Sequence, residues 1–238
     1  MTKQKPLPPI LELLGPEDSG KSTLARLFLE SFSPEANILV LDPSPNQSIA
    51  EAYQLEKPMP SLTEAISALR HRHPSTAEMD WHLQELLIPL PINNEGDRDV
   101  LFIGSIPEYG LFQAESDLLT HGLPRLLQHV DLIIHDGPLG ALEAFLKPFE
   151  VFDLIVIRPD DEAFCSALTS NSASIILSQA EPSDTPPESA QARINAGQWR
   201  LMGKVPRLPE SSKDPNIQLP PSFKDCFSRL DLPFALTT

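Results

Sequence analysis

The stretch LLGPEDSGKSTLARL, from Leu13 to Leu27, joins the end of an apolar segment to the start of an amphipathic helix. Its centre satisfies the pattern G-x-x-x-x-G-K-[ST], with the residues Gly15, Pro16, Glu17, Asp18, Ser19, Gly20, Lys21 and Ser22. In such a loop successive backbone N–H groups converge on a phosphate, and the following helix adds the positive end of its dipole. We therefore interpret these residues, together with the adjoining Thr23, as a phosphate-binding loop.

The segments on either side of this loop have the character that a phosphate-binding loop requires. The run PILELLG before it is short, apolar and closed by a glycine, which predicts a buried strand. Apolar residues after it recur on one helix face, at Leu24, Leu27, Phe28 and Phe32. A glycine-rich turn that matched the motif by chance would need neither a buried strand before it nor an amphipathic helix after it. We expect Lys21 to reach the β- and γ-phosphates of a nucleotide, and the Ser22 hydroxyl to bind Mg²⁺.

Continuous apolar runs alternate with helical segments along the rest of the chain. We predict further strands in NILVLD, DVLFIGSIP, DLIIHDGP, FDLIVIRP and RLMGKVPRLPE. Such strands, separated by helices, are typical of a parallel sheet that is covered on both faces. The sequence therefore predicts an α/β fold of three layers, α/β/α, with a mostly parallel central sheet of the P-loop NTPase type. We expect a single domain over residues 1–238.

Two segments of this domain are predicted to depart from the regular layers. An acidic, low-complexity loop at about 180–192 is expected to be mobile. A short C-terminal helix at about 222–231 is expected to dock on the body of the protein or on a partner, because its apolar stripe is interrupted by acids. Trp81 and Trp199 are both predicted to be packing residues.

Two aspartates follow apolar strands at the positions where open α/β sheets bind ligands. Asp42 closes ILVLD, and Asp136 closes LIIHD. One such aspartate could simply form a turn, but two of them in a chain with a phosphate-binding loop favour function. Such carboxylates hold the water shell of magnesium or position an attacking water. We therefore predict Lys21, Asp42 and Asp136 as catalytic residues, and Ser22, Asp42 and Asp136 as metal ligands.

The composition restricts the partners of the protein. Its 18 Lys and Arg against 33 Asp and Glu give a net charge of −15, which argues against a surface built to bind nucleic acid. Cys165 and Cys226 form no metal-binding pair and are expected to be reduced thiols. We see neither a signal peptide nor a membrane span, so we expect a cytoplasmic protein that contacts membranes only indirectly, through a partner.

The segments GPEDSGKST, VLDPSPNQS and VDLIIHDGP, in this order and spacing, resemble the ParA/MinD family of P-loop ATPases. The likeness runs over about residues 10–210, although only the phosphate-binding loop is highly specific. It implies ATP and Mg²⁺ as cofactors. It also implies that Asp42 polarises the attacking water as the switch I aspartate, and that Asp136 is the Walker B or switch II aspartate near magnesium. By the same resemblance, the turn of Arg158, Pro159 and Asp160 would border the adenine.

The chain also departs from the family pattern. Pro16 stands where the family has a signature lysine that reaches across a nucleotide-sandwich dimer, and Val40 replaces the first aspartate of its D-x-D motif. Glu17 and Asp18 add negative charge at the loop tip, which repels a polyphosphate. These differences imply that hydrolysis is slow, is lost, or uses a substitute cation such as Arg26 or Arg158.

The resemblance implies a slow ATPase that acts as a switch and positions or regulates a partner assembly. The family's roles include partition, placement of cell-surface machinery and support of cellulose secretion, and the acidic charge favours the last two. A protein partner and a nucleotide-dependent homodimer are expected. The alternative is a pseudo-ATPase that keeps the nucleotide as a regulatory ligand. A small-molecule kinase is disfavoured because no Arg-rich lid segment is present, and a metal-insertion ATPase because paired cysteines are absent.

Overall fold

A computed structural model of the chain describes residues 7–32, 36–44, 46–56, 58–69, 75–90, 98–104, 118–137, 146–170 and 172–207. The strands are β1 (Ile10–Leu14), β2 (Ile38–Asp42), β3 (Ile88–Pro89), β4 (Arg98–Phe102), β5 (Leu132–His135), β6 (Val151–Ile157), β7 (Ala173–Ser178) and β8 (Trp199–Val205). The helices are α1 (Lys21–Ser31), α2 (Ser48–Ala52), α3 (Leu62–Leu69), α4 (Thr76–Glu85), α5 (Leu123–Leu127), α6 (Glu162–Ala167) and α7 (Glu188–Asn195), and a π-helical turn, Leu118–Gly122, leads directly into α5.

All the described strands belong to one sheet in the order β3-β4-β2-β5-β1-β6-β7-β8. Every pairing is parallel except that of β3 with β4. The predicted phosphate-binding loop follows β1, Asp42 is the last residue of β2, and Asp136 directly follows β5. Because β5 lies between β1 and β2, the loops that follow these three strands meet at one edge of the sheet.

Successive residues of the central strands pack against opposite layers of helices. Val40 of β2 belongs to the same buried cluster as Phe28 of α1, whereas its neighbours Leu39 and Leu41 belong to a second cluster with Leu83 of α4. A third cluster fills the space between β6–β8 and helices α6 and α7. Helices therefore cover both faces of the sheet, which confirms the predicted three-layer α/β/α architecture with a mostly parallel sheet.

Two expectations from the sequence are wrong in part. Residues 188–192 of the predicted acidic loop form the beginning of α7, because Ala190 packs in the core and the helix starts directly after Pro187. Trp81 is 56% exposed and stacks edge-on against His82, so it does not pack in the core, whereas Trp199 is buried as predicted. The predicted helix at 222–231, like Cys226, lies outside the described residues. None of the described helices is long and apolar enough to span a membrane.

Truncation of Phe28 tests the packing of α1 on the sheet. Because Phe28 is fully buried, we expect Phe28→Ala to lower the free energy of unfolding by about 3–5 kcal/mol in urea titrations. Trp81→Ala removes a larger but exposed ring and should change it by less than about 0.5 kcal/mol. Equal losses in the two variants would contradict the described layers.

Candidate functional site

The phosphate-binding loop connects β1 to α1 and passes very close to the neighbouring strand β6. A Cβ atom at Gly15 would lie 2.3 Å from the carbonyl oxygen of Val156. Asp18 and Gly20 have positive φ angles of 58° and 90°, and Gly20 is the N-cap residue directly before α1. The first glycine of the motif is therefore required by close backbone approach, and the second by its left-handed conformation.

Two residues at the end of β7 hold this loop in place. The buried Ser178 hydroxyl lies 2.6 Å from the carbonyl oxygen of Ser19 and 3.2 Å from that of Ile157, and the Gln179 amide donates to the carbonyl oxygen of Asp18 at 2.8 Å. Neither residue lies in a motif, so neither was predicted from the sequence. Their contacts fix the tip of the loop to the body of the sheet.

Lys21 lies folded over its own loop. Its Nζ donates to the carbonyl oxygens of Gly15 at 2.9 Å and Pro16 at 2.6 Å. Burial lowers the pKa of Lys21, while the negative charges of Asp136, Glu17 and Asp18 act in the opposite direction. The ammonium group is thus held at the loop by carbonyl oxygens, which a phosphate can replace as acceptors.

Asp136 is the point at which three segments of the chain meet. Its Oδ2 accepts hydrogen bonds from the hydroxyls of Ser22, at 2.6 Å, and Ser48, at 3.0 Å. Its Oδ1 is buried and has no hydrogen-bond partner among the described residues. Burial raises the pKa of Asp136, although the two serine hydroxyls and Lys21 favour its charged form. The predicted residues Lys21, Ser22 and Asp136 therefore come together, and Ser48 is an addition that the sequence analysis missed.

Asp42 is fully buried and accepts hydrogen bonds at both carboxylate oxygens. Its Oδ1 accepts from the backbone N–H of Ser44 at 2.8 Å, and its Oδ2 accepts from that of Ile49 at 2.9 Å. The hydroxyl of Ser48 lies 3.5 Å from Asp42 Oδ1 and links it to Asp136. Burial raises the pKa of Asp42 to about 6, despite these two N–H donors. Asp42 thus lies at the site, close to Asp136, and it also caps the first turn of α2. Its role in polarising water stays a prediction.

The turn after β6 lies near the phosphate-binding loop. Arg158 Nη2 is 2.8 Å from Asp161 Oδ1, and the backbone N–H of Arg158 donates to Asp161 Oδ2 at 2.7 Å. The hydrogen bond and charge of Asp161 raise the pKa of Arg158, and the charges of the largely exposed Asp160 and of Asp18 add to this effect. Contact of Arg158, Pro159 and Asp160 with an adenine stays a prediction.

The two cations considered as substitutes for the missing lysine differ in their surroundings. Arg26 is buried in α1, where it pairs with Glu30 at 3.0 Å and donates to the carbonyl oxygen of Ala52. The Arg158 side chain is one-third exposed. Of these two arginines, only Arg158 is therefore accessible to solvent. The contacts of Arg26 hold it within the packing of α1 against α2.

The oxygen atoms at this edge of the sheet fit a magnesium ion. Mg²⁺ prefers carboxylate and hydroxyl oxygens, and in phosphate sites it takes most of its ligands from water and phosphates. Asp42 and Asp136 are buried carboxylates with raised pKa values, beside the hydroxyls of Ser22 and Ser48. No group of three or more metal-binding side chains occurs in the part of the chain that the structure describes. The residues thus suit a cation that arrives with a nucleotide.

Removing the Ser178 hydroxyl tests how the loop is held. We expect Ser178→Ala to lower the free energy of unfolding by about 1–3 kcal/mol, because the carbonyl oxygen of Ser19 loses the buried hydroxyl donor of Ser178. Hydrogen exchange of the backbone amides in residues 15–21 should accelerate. Ser166→Ala, which removes an exposed hydroxyl bonded to Glu162, serves as the control and should leave both measurements unchanged. Unchanged exchange in Ser178→Ala would refute the holding role.

The buried His135 makes stability depend on pH. Its Nδ1 donates to the carbonyl oxygen of Gly137 at 2.6 Å, and burial lowers the pKa of His135 from 6.5 to about 4. The unfolded chain therefore binds a proton that the folded chain excludes, and stability is lost as the pH falls below about 6.5. Between pH 7.5 and pH 5, in EDTA, the wild type should lose about 2 kcal/mol more than His135→Asn, which donates the same bond without titrating. Equal losses would show that His135 does not titrate as described.

Comparisons with known proteins give a consistent result for the fold. No protein-family model matches the chain, and no curated protein matches it significantly by sequence. Among solved structures, the chain is similar to a ParA family ATPase from Chlorobium tepidum TLS, with 13% identity, a TM-score of 0.55, and coverage of 92% of this chain and 89% of the other. It is also similar to the septum site-determining protein MinD from Pyrococcus horikoshii OT3, complexed with Mg-ADP, with 17% identity and a TM-score of 0.52 over 94% and 96% of the two chains.

A third similar structure is a Borrelia burgdorferi B31 protein assigned to plasmid partition and bound to AMPPNP. It has 12% identity and a TM-score of 0.52, with coverage of 93% of this chain and 97% of the other. At such low identities the likeness concerns the fold, and it extends over most of each chain. Together with the sheet order, it shows that this chain has the same three-layer α/β/α fold as these ParA- and MinD-like structures.

Proposed function

We propose that the protein binds ATP with Mg²⁺ at residues Gly15–Thr23 and acts as a slow ATPase switch that positions or regulates a protein partner. The observation that carries this proposal is the hydrogen bond of Ser22 to Asp136, across 114 positions of sequence, beside Lys21. It brings together the lysine, hydroxyl and carboxylate that a nucleotide with its magnesium ion requires. The similar MinD and Borrelia proteins were solved with Mg-ADP and AMPPNP, which supports a nucleotide ligand.

The residues of the loop have separate tasks in this proposal. Lys21 exchanges the carbonyl oxygens of Gly15 and Pro16 for the β- and γ-phosphates. The backbone N–H groups between Ser19 and Thr23 bind phosphate oxygens at the beginning of α1. Ser22 and Asp136 would hold Mg²⁺, which neutralises negative charge on the phosphates when bound. Arg158, at the turn after β6, would border the base.

Nucleotide binding would change the order of the segments that follow Asp42 and Asp136, because both segments begin at the cation site. A protein partner or a second copy of the chain would recognise that change. The net charge of −15 disfavours a role in binding DNA, so positioning of cell-surface machinery or an accessory role in cellulose secretion is preferred to partition of DNA. We place the protein in the cytoplasm, with contact to membranes only through the partner.

A second candidate function is that of a pseudo-ATPase, which binds the nucleotide without turnover. Pro16 stands at the position of the signature lysine. Asp42, the residue expected to polarise water, already accepts two backbone hydrogen bonds. Both observations favour slow or absent hydrolysis, while they leave the phosphate-binding residues intact.

Calorimetry with ATP and Mg²⁺ tests the proposed binding. We expect Lys21→Ala to weaken ATP binding about 10- to 100-fold, because a charged hydrogen-bond donor to phosphate is lost. Lys204→Ala is a matched control, since Lys204 also donates to two backbone carbonyl oxygens, but those of Pro182 and Asp184, outside the loop. Equal affinity in wild type and Lys21→Ala, or no binding by the wild type, would refute the proposal.

Turnover and mass measurements then separate the two functions. Slow release of phosphate by the wild type, abolished in Lys21→Ala and in Asp42→Ala, together with a nucleotide-dependent mass, indicates the ATPase switch. Binding without phosphate release in any form indicates the pseudo-ATPase.

A further inference from the structure

We propose that Ser48 is a positioning residue for Mg²⁺ at this site, and that it couples residues 46–52 to the bound cation. Ser48 lies outside the phosphate-binding loop. It is the last residue of the segment VLDPSPNQS, in which only Asp42 was predicted to have a role at the site. The inference rests on the proposed function, since it concerns the same nucleotide and cation. It adds Ser48 to the proposed site, as a residue that acts on the cation through Asp136.

The carboxylate of Asp136 is oriented by hydroxyls from two sides. Ser22 of α1 and Ser48 of α2 both donate to the same oxygen, Oδ2, at 2.6 and 3.0 Å. The other oxygen, Oδ1, is buried and lacks a hydrogen-bond donor among the residues described. A buried acceptor without a donor is unfavourable, and a water molecule held by Mg²⁺ is a donor of the right kind. Ser48 thus helps to fix the carboxylate with one oxygen available.

The same turn of chain is attached to the second carboxylate. Ile49, the residue after Ser48, donates its backbone N–H to Asp42 Oδ2 at 2.9 Å. Ser48 itself lies 3.5 Å from Asp42 Oδ1. Gln47, which precedes α2, makes no side-chain hydrogen bond to cap the helix. The beginning of α2 is therefore held by Asp42 and Asp136, the two carboxylates expected at the cation.

This arrangement makes residues 46–52 depend directly on the orientation of Asp136. Ile49 and Ala50 are fully buried and pack with Phe28 of α1 in the same apolar cluster. The apolar contacts hold α2 against α1 whether or not a cation is present. The Ser48 hydroxyl is the contact of this helix that can respond when Asp136 binds a ligand.

Calorimetry with ADP, in Mg²⁺ and in EDTA, tests the role of Ser48. We expect Ser48→Ala to bind ADP as the wild type does in EDTA, but about tenfold more weakly in Mg²⁺, because only the cation-dependent part of the affinity uses the hydroxyl. Ser48→Thr retains the hydroxyl and should restore the affinity. Ser44→Ala is the matched control, since the Ser44 hydroxyl accepts from Asn46 N–H and makes no contact with Asp136.

Hydrogen exchange provides a readout that does not depend on turnover. In the wild type, Mg²⁺ and ADP together should slow exchange of the amides in residues 46–52 more than ADP in EDTA does. This additional protection should be lost in Ser48→Ala and regained in Ser48→Thr.

Three results would overturn the inference. Equal binding of Mg-ADP by Ser48→Ala and wild type excludes the role while leaving the proposed function standing. An equal loss in Mg²⁺ and in EDTA shows that Ser48 is merely structural. If the wild type binds no nucleotide in either condition, the proposed function itself fails, and the inference fails with it.

Discussion

The hydrogen bond between Ser22 and Asp136 is the contact on which the candidate site depends. It exists because β5 lies between β1 and β2, so that the residue after β5 is flanked by the loops that follow both neighbours. Ser22 reaches Asp136 from the side of β1, and Ser48 reaches it from the side of β2. The strand order, rather than the loop sequence, thus brings the carboxylate to the phosphate-binding residues.

The two acids at the loop tip have two opposing electrostatic effects on phosphate binding. Glu17 and Asp18 are exposed, and alone they would repel a polyphosphate. Burial lowers the pKa of Lys21. The charges of Asp136, Glu17 and Asp18 raise it, and so help to keep Lys21 protonated. The loop tip therefore weakens long-range attraction of a phosphate, while it favours the charged form of the lysine that is proposed to bind one.

The fold could be predicted from the sequence where the pattern is long enough. The apolar runs of β1, β2, β5 and β6, and the helical spacing in α1, predicted these elements. Burial of both faces of a strand leaves a continuous apolar run, and burial of one helix face leaves a helical period. The strand β3 has two residues and the helix α2 has five, which is too short for a period. Trp81 was wrongly assigned to the core because an aromatic residue on a helix does not reveal which face it occupies.

The site was predictable only where a motif marked it. Lys21, Ser22, Asp42 and Asp136 follow strands or belong to the loop pattern. Ser178 and Ser48, by contrast, act on partners 159 and 88 positions away, and an isolated serine carries no sign of such a partner. Their roles depend on the pairing of strands, which fixes distances that local sequence does not contain.

The close approach of Gly15 to β6 limits how this loop can evolve. The atom that a side chain at Gly15 would meet is the main-chain oxygen of Val156, not its side chain. A smaller residue at position 156 would leave that oxygen in place, so it could not act as a suppressor of a substitution at Gly15. Compensation would require a shift of the strand, and β6 is paired on both edges, with β1 and β7. The first glycine of the loop is therefore fixed by the architecture of the sheet, independently of any ligand.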